Sequence, residues 1–162
     1  MSEAAEVRMT ASGNVYIDPN IPLPPHRRVG LVDLEELRGW LVPRLQQKHP
    51  KANHGLVYAW LRGALFSNMV LFVRTEHAVG MVEIVQEPLE IQPVALERFV
   101  LAMEGFAEEA AALYVPMADW AEGHNASRFD LERHTDVARG DIRGMLGKLE
   151  KKEFFFLKLR GD

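Results

Sequence analysis

GFAEEAAALYVPMADWAEGHNA, Gly105–Ala126, decides how this 162-residue chain is read. It opens on a glycine, passes an acidic turn at Glu108 and Glu109, and runs as an Ala-rich helix to Asp119, Trp120 and Ala121. A turn then leads into the strand-like Ser127–Leu131 (SRFDL). Upstream, Ala95–Met103 (ALERFVLAM) has the composition of a strand and feeds directly into the opening loop. The order is therefore strand, loop, helix, strand. Glutamates in a first helical turn favour the positive end of the helix dipole by about 0.3–1 kcal/mol each, and need no ligand for it.

Working outward, Met69–Arg74 (MVLFVR) and Val79–Val85 (VGMVEIV) are rich in β-branched residues, and Thr75–Ala78 between them reads as a hairpin. Pro88 breaks the run and Pro93 marks an edge or bulge. Before these strands, Asp33 followed by Glu36 has the spacing of a capping box opening a helix over Leu34–Gln47, with Leu34, Leu37, Leu41 and Leu45 on one face. Pro43 is expected to bend or split that helix. A second helix is expected over His54–Phe66. Beyond Leu131 the pattern predicts a helix over Asp141–Lys152 and a closing strand over Phe154–Leu159. Residues 1–27 differ in character: Pro19, Pro22, Pro24 and Pro25 favour extended polyproline geometry, which predicts an arm (1–27) ahead of one domain (28–162). Val15, Tyr16, Ile17, Ile21 and Leu23 would be its apolar contacts, either with a partner or a second copy or with an edge of its own domain.

Composition narrows the function classes. A net charge of −4 carries no nucleic-acid footprint. The absence of cysteine removes disulfides, thiolate nucleophiles and cysteine zinc sites, and fits a reducing compartment. No signal peptide is apparent and no apolar run approaches the ~20 residues of a membrane span, so a cytoplasmic location is expected. The histidines form no i,i+4 pair, and no metal site is expected. His134 with Asp130 and Asp136 is the one local titratable cluster. No serine lies in a Gly-x-Ser-x-Gly setting, so hydrolase chemistry is unsupported.

The element order, the Asp119-Trp120-Ala121 helix end and the final helix–strand unit resemble the GNAT superfamily, the acetyl-CoA-dependent N-acetyltransferases, over residues 28–159. The resemblance implies an α+β fold: a mixed, mostly antiparallel central sheet flanked by helices, here behind an extended Pro-rich N-terminal arm. In that family the loop opening the central helix reads Arg/Gln-x-x-Gly-x-Gly/Ala, and its backbone N–H groups hold the cofactor pyrophosphate. With Trp120-Ala121 aligned without a gap, Glu108 takes the central glycine position and sets a carboxylate against the phosphates. At about 4 Å and an effective dielectric near 20 that repulsion is roughly 4 kcal/mol. A register shifted by three residues puts Gly105 and Ala107 at the small positions, with Ala102 in place of Arg or Gln.

For an active enzyme the resemblance implies acetyl-CoA as cofactor, held by Leu101, Met103, Gly105, Ala107 and Ala110, with Glu97 as the catalytic carboxylate taking the amine proton. Residue statistics instead favour Glu97 as a solvated strand residue. The family's tyrosine proton donor has no counterpart, since Phe154, Phe155 and Phe156 stand there and the tyrosines are at 16, 58 and 114. The preferred expectation is a degenerate, non-catalytic member with no cofactor, acting as a structural or protein-interaction component. In overall character the chain resembles GNAT-like proteins of tailed bacteriophages, including internal virion components, which implies the host cytoplasm or the virion as its place. The alternatives are an active N-acetyltransferase and a small regulator of a cellular protein.

Overall fold

Strand alternation divides the apolar residues of this chain between two faces of one sheet, and a helical layer closes each face. The structure, a computed structural model, describes residues 23–132 and 136–137 in full and the backbone of 8–9, 16–17 and 156–159. The elements are β1 (Arg8–Met9), β2 (Tyr16–Ile17), β3 (Arg27–Arg28), α1 (Leu31–Lys48), α2 (His54–Ala64), β4 (Val70–Arg74), β5 (Ala78–Val85), β6 (Val94–Ala102), α3 (Ala107–Gly123), β7 (Arg128–Leu131) and β8 (Phe156–Leu159). β1 and β2 pair with each other. The other strands form a six-stranded sheet in chain order, β3-β4-β5-β6-β7-β8, antiparallel through β6 and parallel from β6 to β8. This is the expected mixed, mostly antiparallel α+β architecture. The helix expected over Asp141–Lys152 lies outside the described residues.

On one face, α1 and α2 set Leu34, Leu37, Leu41 and Leu61 over Phe72, Met81, Phe99 and Leu101. On the other, α3 presents Ala110, Leu113, Tyr114, Met117 and Ala121, a stripe at helical spacing, to Val73, Val82, Ala95, Val100 and Phe129. Within β5, Val79 and Met81 belong to the first core, and Val82 and Ile84 to the second. The alanines of α3 let it sit low on the sheet. A Cβ added to Gly80 would lie 2.8 Å from the Met117 sulfur and 3.4 Å from a Val100 methyl. Gly80→Ala should therefore destabilise the fold by about 1–2 kcal/mol, as overpacking relieved in part by the flexible thioether. A thermal melt should move down by a few degrees, and an unchanged midpoint would refute this close contact.

Two local expectations change. α1 starts three residues earlier than the sequence suggests, with Gly30 as its N-cap and Asp33 at the third helical position. Asp33 accepts the Gly30 N–H at 3.0 Å and is bonded to Arg27 and Arg74, so it closes the turn from inside the helix. Pro43 does not split α1. It lies on the exposed side, and the carbonyl it leaves without a helical donor belongs to exposed Gly39, within reach of water.

Candidate functional site

β6 and β7 pair only at Ala95–Phe129 and Leu96–Asp130, and β6 then continues alone along that side through Glu97–Ala102. This leaves a wedge between two parallel strands, with its root at Glu97 and its mouth facing the N-terminus of α3. A β-bulge at the root decides what lines it. Met81 pairs with Phe99 but Val82 pairs with Glu97, so Arg98 is the extra residue. Because one inserted residue exchanges the two faces of a strand, Phe99 points to the α1–α2 core while Glu97 turns towards α3.

Glu97 is therefore not a solvated strand residue: its exposure is 0 %. The Tyr114 hydroxyl donates to its Oε1 at 2.6 Å. Burial pushes the carboxyl up to about 8, against the lowering effect of the Tyr114 bond and of the Glu132 backbone. At neutral pH Glu97 is thus mainly a neutral carboxylic acid inside the core. Tyr114 was not singled out from the sequence, although a signal existed. It falls on the buried stripe of α3, and a tyrosine there needs an acceptor from the strand beneath.

The outer half of the wedge is closed by the chain itself. After β7 the backbone returns so that Asp136 N–H donates to the Val100 carbonyl at 3.4 Å, and Asp136 Oδ2 accepts the Ala102 N–H at 3.0 Å. Arg44 of α1 then binds Asp136 Oδ2 at 2.6 Å and the Ala102 carbonyl at 3.3 Å. Both backbone groups of Ala102 are taken up by this clamp. Val137 beside it is buried in the α3-side core. Of the Asp130, His134 and Asp136 cluster, His134 lies outside the described residues, while Asp130 pairs with Arg128 at 2.9 Å.

At the mouth, Gly105 has a φ of +88°, a left-handed loop conformation that favours glycine. Glu108 is then the second residue of α3, exposed at its edge. Phe106, between the small positions, stacks on His77 of the β4–β5 hairpin at 3.7 Å between centroids. His77 Nδ1 lies 2.8 Å from Glu109 Oε2, and the His77 N–H donates to the same carboxylate at 3.2 Å. The hairpin tip is thus fastened to the first turn of α3.

The remaining expected cofactor positions do not converge on the wedge. Met103 N–H is spent on the His77 carbonyl at 2.9 Å, towards β5. Leu101 is two residues earlier, so its backbone faces β5 as well, and its side chain is in the α1–α2 core. Ala110 is fully buried under α3, and Ala107 is exposed at the helix start. The backbone groups along the wedge belong instead to Val100 and Ala102, one residue out of phase with Leu101 and Met103.

No protein-family profile matches the sequence, and no curated protein matches it in sequence. Solved structures do match in shape. A structure assigned as an acetyltransferase from an Arthrobacter species superposes with a TM-score of 0.58 at 13 % identity, over 78 % of this chain and 84 % of that one. A second, described as a probable acetyltransferase, gives 0.60 at 12 % over 76 % and 88 %. The aminoglycoside antibiotic 6'-N-acetyltransferase of Acinetobacter haemolyticus gives 0.53 at 16 % over 80 % and 92 %. The fold is the GNAT acetyltransferase fold. Within a GNAT fold, acetyl-CoA would be held along the wedge and at the start of α3, and the residues present do not fit it. The strand edge is closed by Asp136 and Arg44, and the loop carries Glu104 and Glu108 exposed, with Glu109 tied to His77. Among the described residues, no helix is long and apolar enough to cross a membrane, and no three His, Asp or Glu side chains gather as a metal-holding group.

Proposed function

We propose that this GNAT-fold protein is a non-catalytic component that works through protein–protein contacts. The observation that carries the reading is Ala102, whose N–H and C=O are both engaged by the Asp136–Arg44 clamp. The acidic loop at Glu104 and Glu108 supports it, since a pyrophosphate placed there would meet like charge. So does Glu97, the residue expected as the catalytic carboxylate, because a group with no exposed surface meets no incoming amine. The likeness in overall character to GNAT-like proteins of tailed bacteriophages supports an assembly role, with other virion proteins as the contacts.

Acetyl-CoA-dependent N-acetyl transfer is the second reading. It is favoured by Gly105 and Ala107 at the small positions and by an acid–base group, Glu97, at the wedge root. It requires the Asp136 segment to leave the strand edge. Isothermal titration at low salt with acetyl-CoA, and with CoA as control, tests the two. No heat is expected up to ~1 mM ligand, equivalent to binding weaker than about 4 kcal/mol. Micromolar binding by the parent protein overturns the proposal. Binding by Asp136→Ala but not by the parent identifies the clamp as the obstacle and makes this a gated enzyme.

A further inference from the structure

The β5–β6 turn and a cavity beside the edge strand β3 are complementary in character, one an exposed apolar tip and the other an apolar floor with arginines at its lip. Leu89 and Ile91, on the turn between Val85 and Val94, are each 98 % exposed, the most exposed of the large apolar residues described. They do not sit on a loose loop. Gln86 Nε2 donates to the Glu87 and Glu90 carbonyls at 3.2 and 2.7 Å, and the Glu90 N–H donates to the Glu87 carbonyl at 3.1 Å. From outside, Arg128 holds the Glu90 carboxylate at 3.0 Å, and Gln92 reaches Asn125 at 3.1 Å. The turn is a braced prong with two aliphatic side chains at its tip and the Glu87 carboxylate beside them, the Glu90 carboxylate being held by Arg128. Holding apolar groups in water on a pre-formed support costs little further ordering when a partner arrives.

The cavity, about 490 Å³, lies where β3 and β4 meet the C-terminal turns of α3. Leu71, Val73, Pro116 and Trp120 make it apolar, and Arg27 and Arg28 bring cations to its lip, with Asp119 as the one acid of the lining. Arg27 is committed to Asp33 at 2.5 Å. Arg28 is exposed on the edge strand β3, with no ion pair among the described residues. An apolar floor with the Arg28 guanidinium at its lip suits an apolar tip with the Glu87 carboxylate beside it.

We infer that the prong of one molecule seats in the cavity of a second copy of the same chain, Leu89 and Ile91 on the floor and Glu87 against Arg28. Prong and cavity are different surfaces, so the contact is heterologous, made once in a growing chain or twice in a reciprocal pair. This rests on the interaction reading and names its partner. Its test is separate, because cofactor binding and self-association are measured independently.

Sedimentation equilibrium of the full-length protein up to ~200 μM should show concentration-dependent association, in the weak range expected of a contact this small. Leu89→Asp with Ile91→Asp, and separately Arg28→Glu, should each weaken it by about tenfold or more while leaving circular dichroism and melting unchanged, because all three positions are exposed. Mixing the two variants is the deciding arm. The intact cavity of the prong variant accepts the intact prong of the Arg28→Glu variant, so the mixture should recover a 1:1 complex. A parent that stays monomeric, association that survives the prong substitutions, or a mixture that stays monomeric would each overturn the proposal. Survival in the prong variant would assign self-association to another surface, residues 1–22 included.

Discussion

Glu97→Gln should make the protein nearly as stable at pH 9 as at pH 5, whereas the parent should lose several kcal/mol over that range. The folded-state carboxyl is raised from 4.5 to about 8, mainly by burial. Between those values the native state holds a proton that the unfolded chain has released, so stability falls as pH rises. The stabilisation is complete below the unfolded pKa and is lost as pH climbs through the folded one. At about 1.4 kcal/mol per unit, the full swing is roughly 4–5 kcal/mol. Glutamine keeps an oxygen to accept from the Tyr114 hydroxyl and has no proton to lose. Denaturant midpoints measured across that pH range should slope downward for the parent and run flat for Glu97→Gln. Tyr114→Phe should leave the start of the downward slope in place and extend its upper end to higher pH, because the bond it deletes is one that lowers the Glu97 value. A parent with no slope would place this carboxyl in water and reopen the wedge root to a substrate.

Arg74→Met should lower stability by about 3–4 kcal/mol, by removing the buried guanidinium that Asp33 shares with Glu36. The Arg74 side chain is 9 % exposed and binds Asp33 at 3.0 Å, Glu36 at 3.1 Å and the Thr75 carbonyl at 2.9 Å. It joins the end of β4 to the first turn of α1. Asp33 would keep Arg27, on a side chain that is 65 % exposed, so the surviving pair would be the solvent-screened one. For a chain of this length the loss corresponds to roughly 10 °C in melting temperature. Adding Asp33→Asn to Arg74→Met should recover part of it, since the amide can still accept the Gly30 N–H but carries no charge to strand. Equal losses in the single and double variants would show that burial of the Asp33 charge is not the source. Asp33 also shapes the acid side of the pH profile. Its bond with Arg27, helped by Gly30 and Arg74 and opposed by burial, holds its carboxyl below the usual range. The stability it provides is present above the unfolded value and lost as pH falls, opposite in sign to Glu97. Together the two groups put the stability maximum on the mildly acidic side of neutrality.

The element order was legible because the signals that set it are local. β-Branched runs flanking Thr75–Ala78 gave the hairpin, whose first bond is Thr75 N–H to the Ala78 carbonyl at 2.9 Å. The Ala-rich helix followed from local pattern, though it runs past its expected end at Asp119–Ala121 to Gly123. Events depending on a distant partner were not legible. Asp33 looked like an N-cap, but Arg74, 41 positions away, draws it into the helix. Arg44 and Asp136 are separated by 92 positions, and nothing near either one announces the clamp. Residue statistics put Glu97 in solvent, but one extra residue at Arg98 exchanges the faces of β6 and turns Glu97 into the core. The expected cofactor residues Leu101 and Met103 fell on the wrong side of the strand for a related reason, since the sequence does not say which edge of β6 faces the wedge.

The sheet order is the same as the order along the chain, and that has a consequence for how the molecule is made. No described strand must be inserted between two strands already paired. From β4 to β7 each strand can be laid against its predecessor as it leaves the ribosome, first the short-looped antiparallel β4–β5 and β5–β6 steps and then the parallel β7, which must wait for α3 to cross over. Loop-closure entropy is then met in small instalments rather than in one long-range step. The first helical layer, α1 with α2, is synthesised before the strands it covers, so the nascent β4–β5 hairpin emerges onto an apolar surface waiting to receive it.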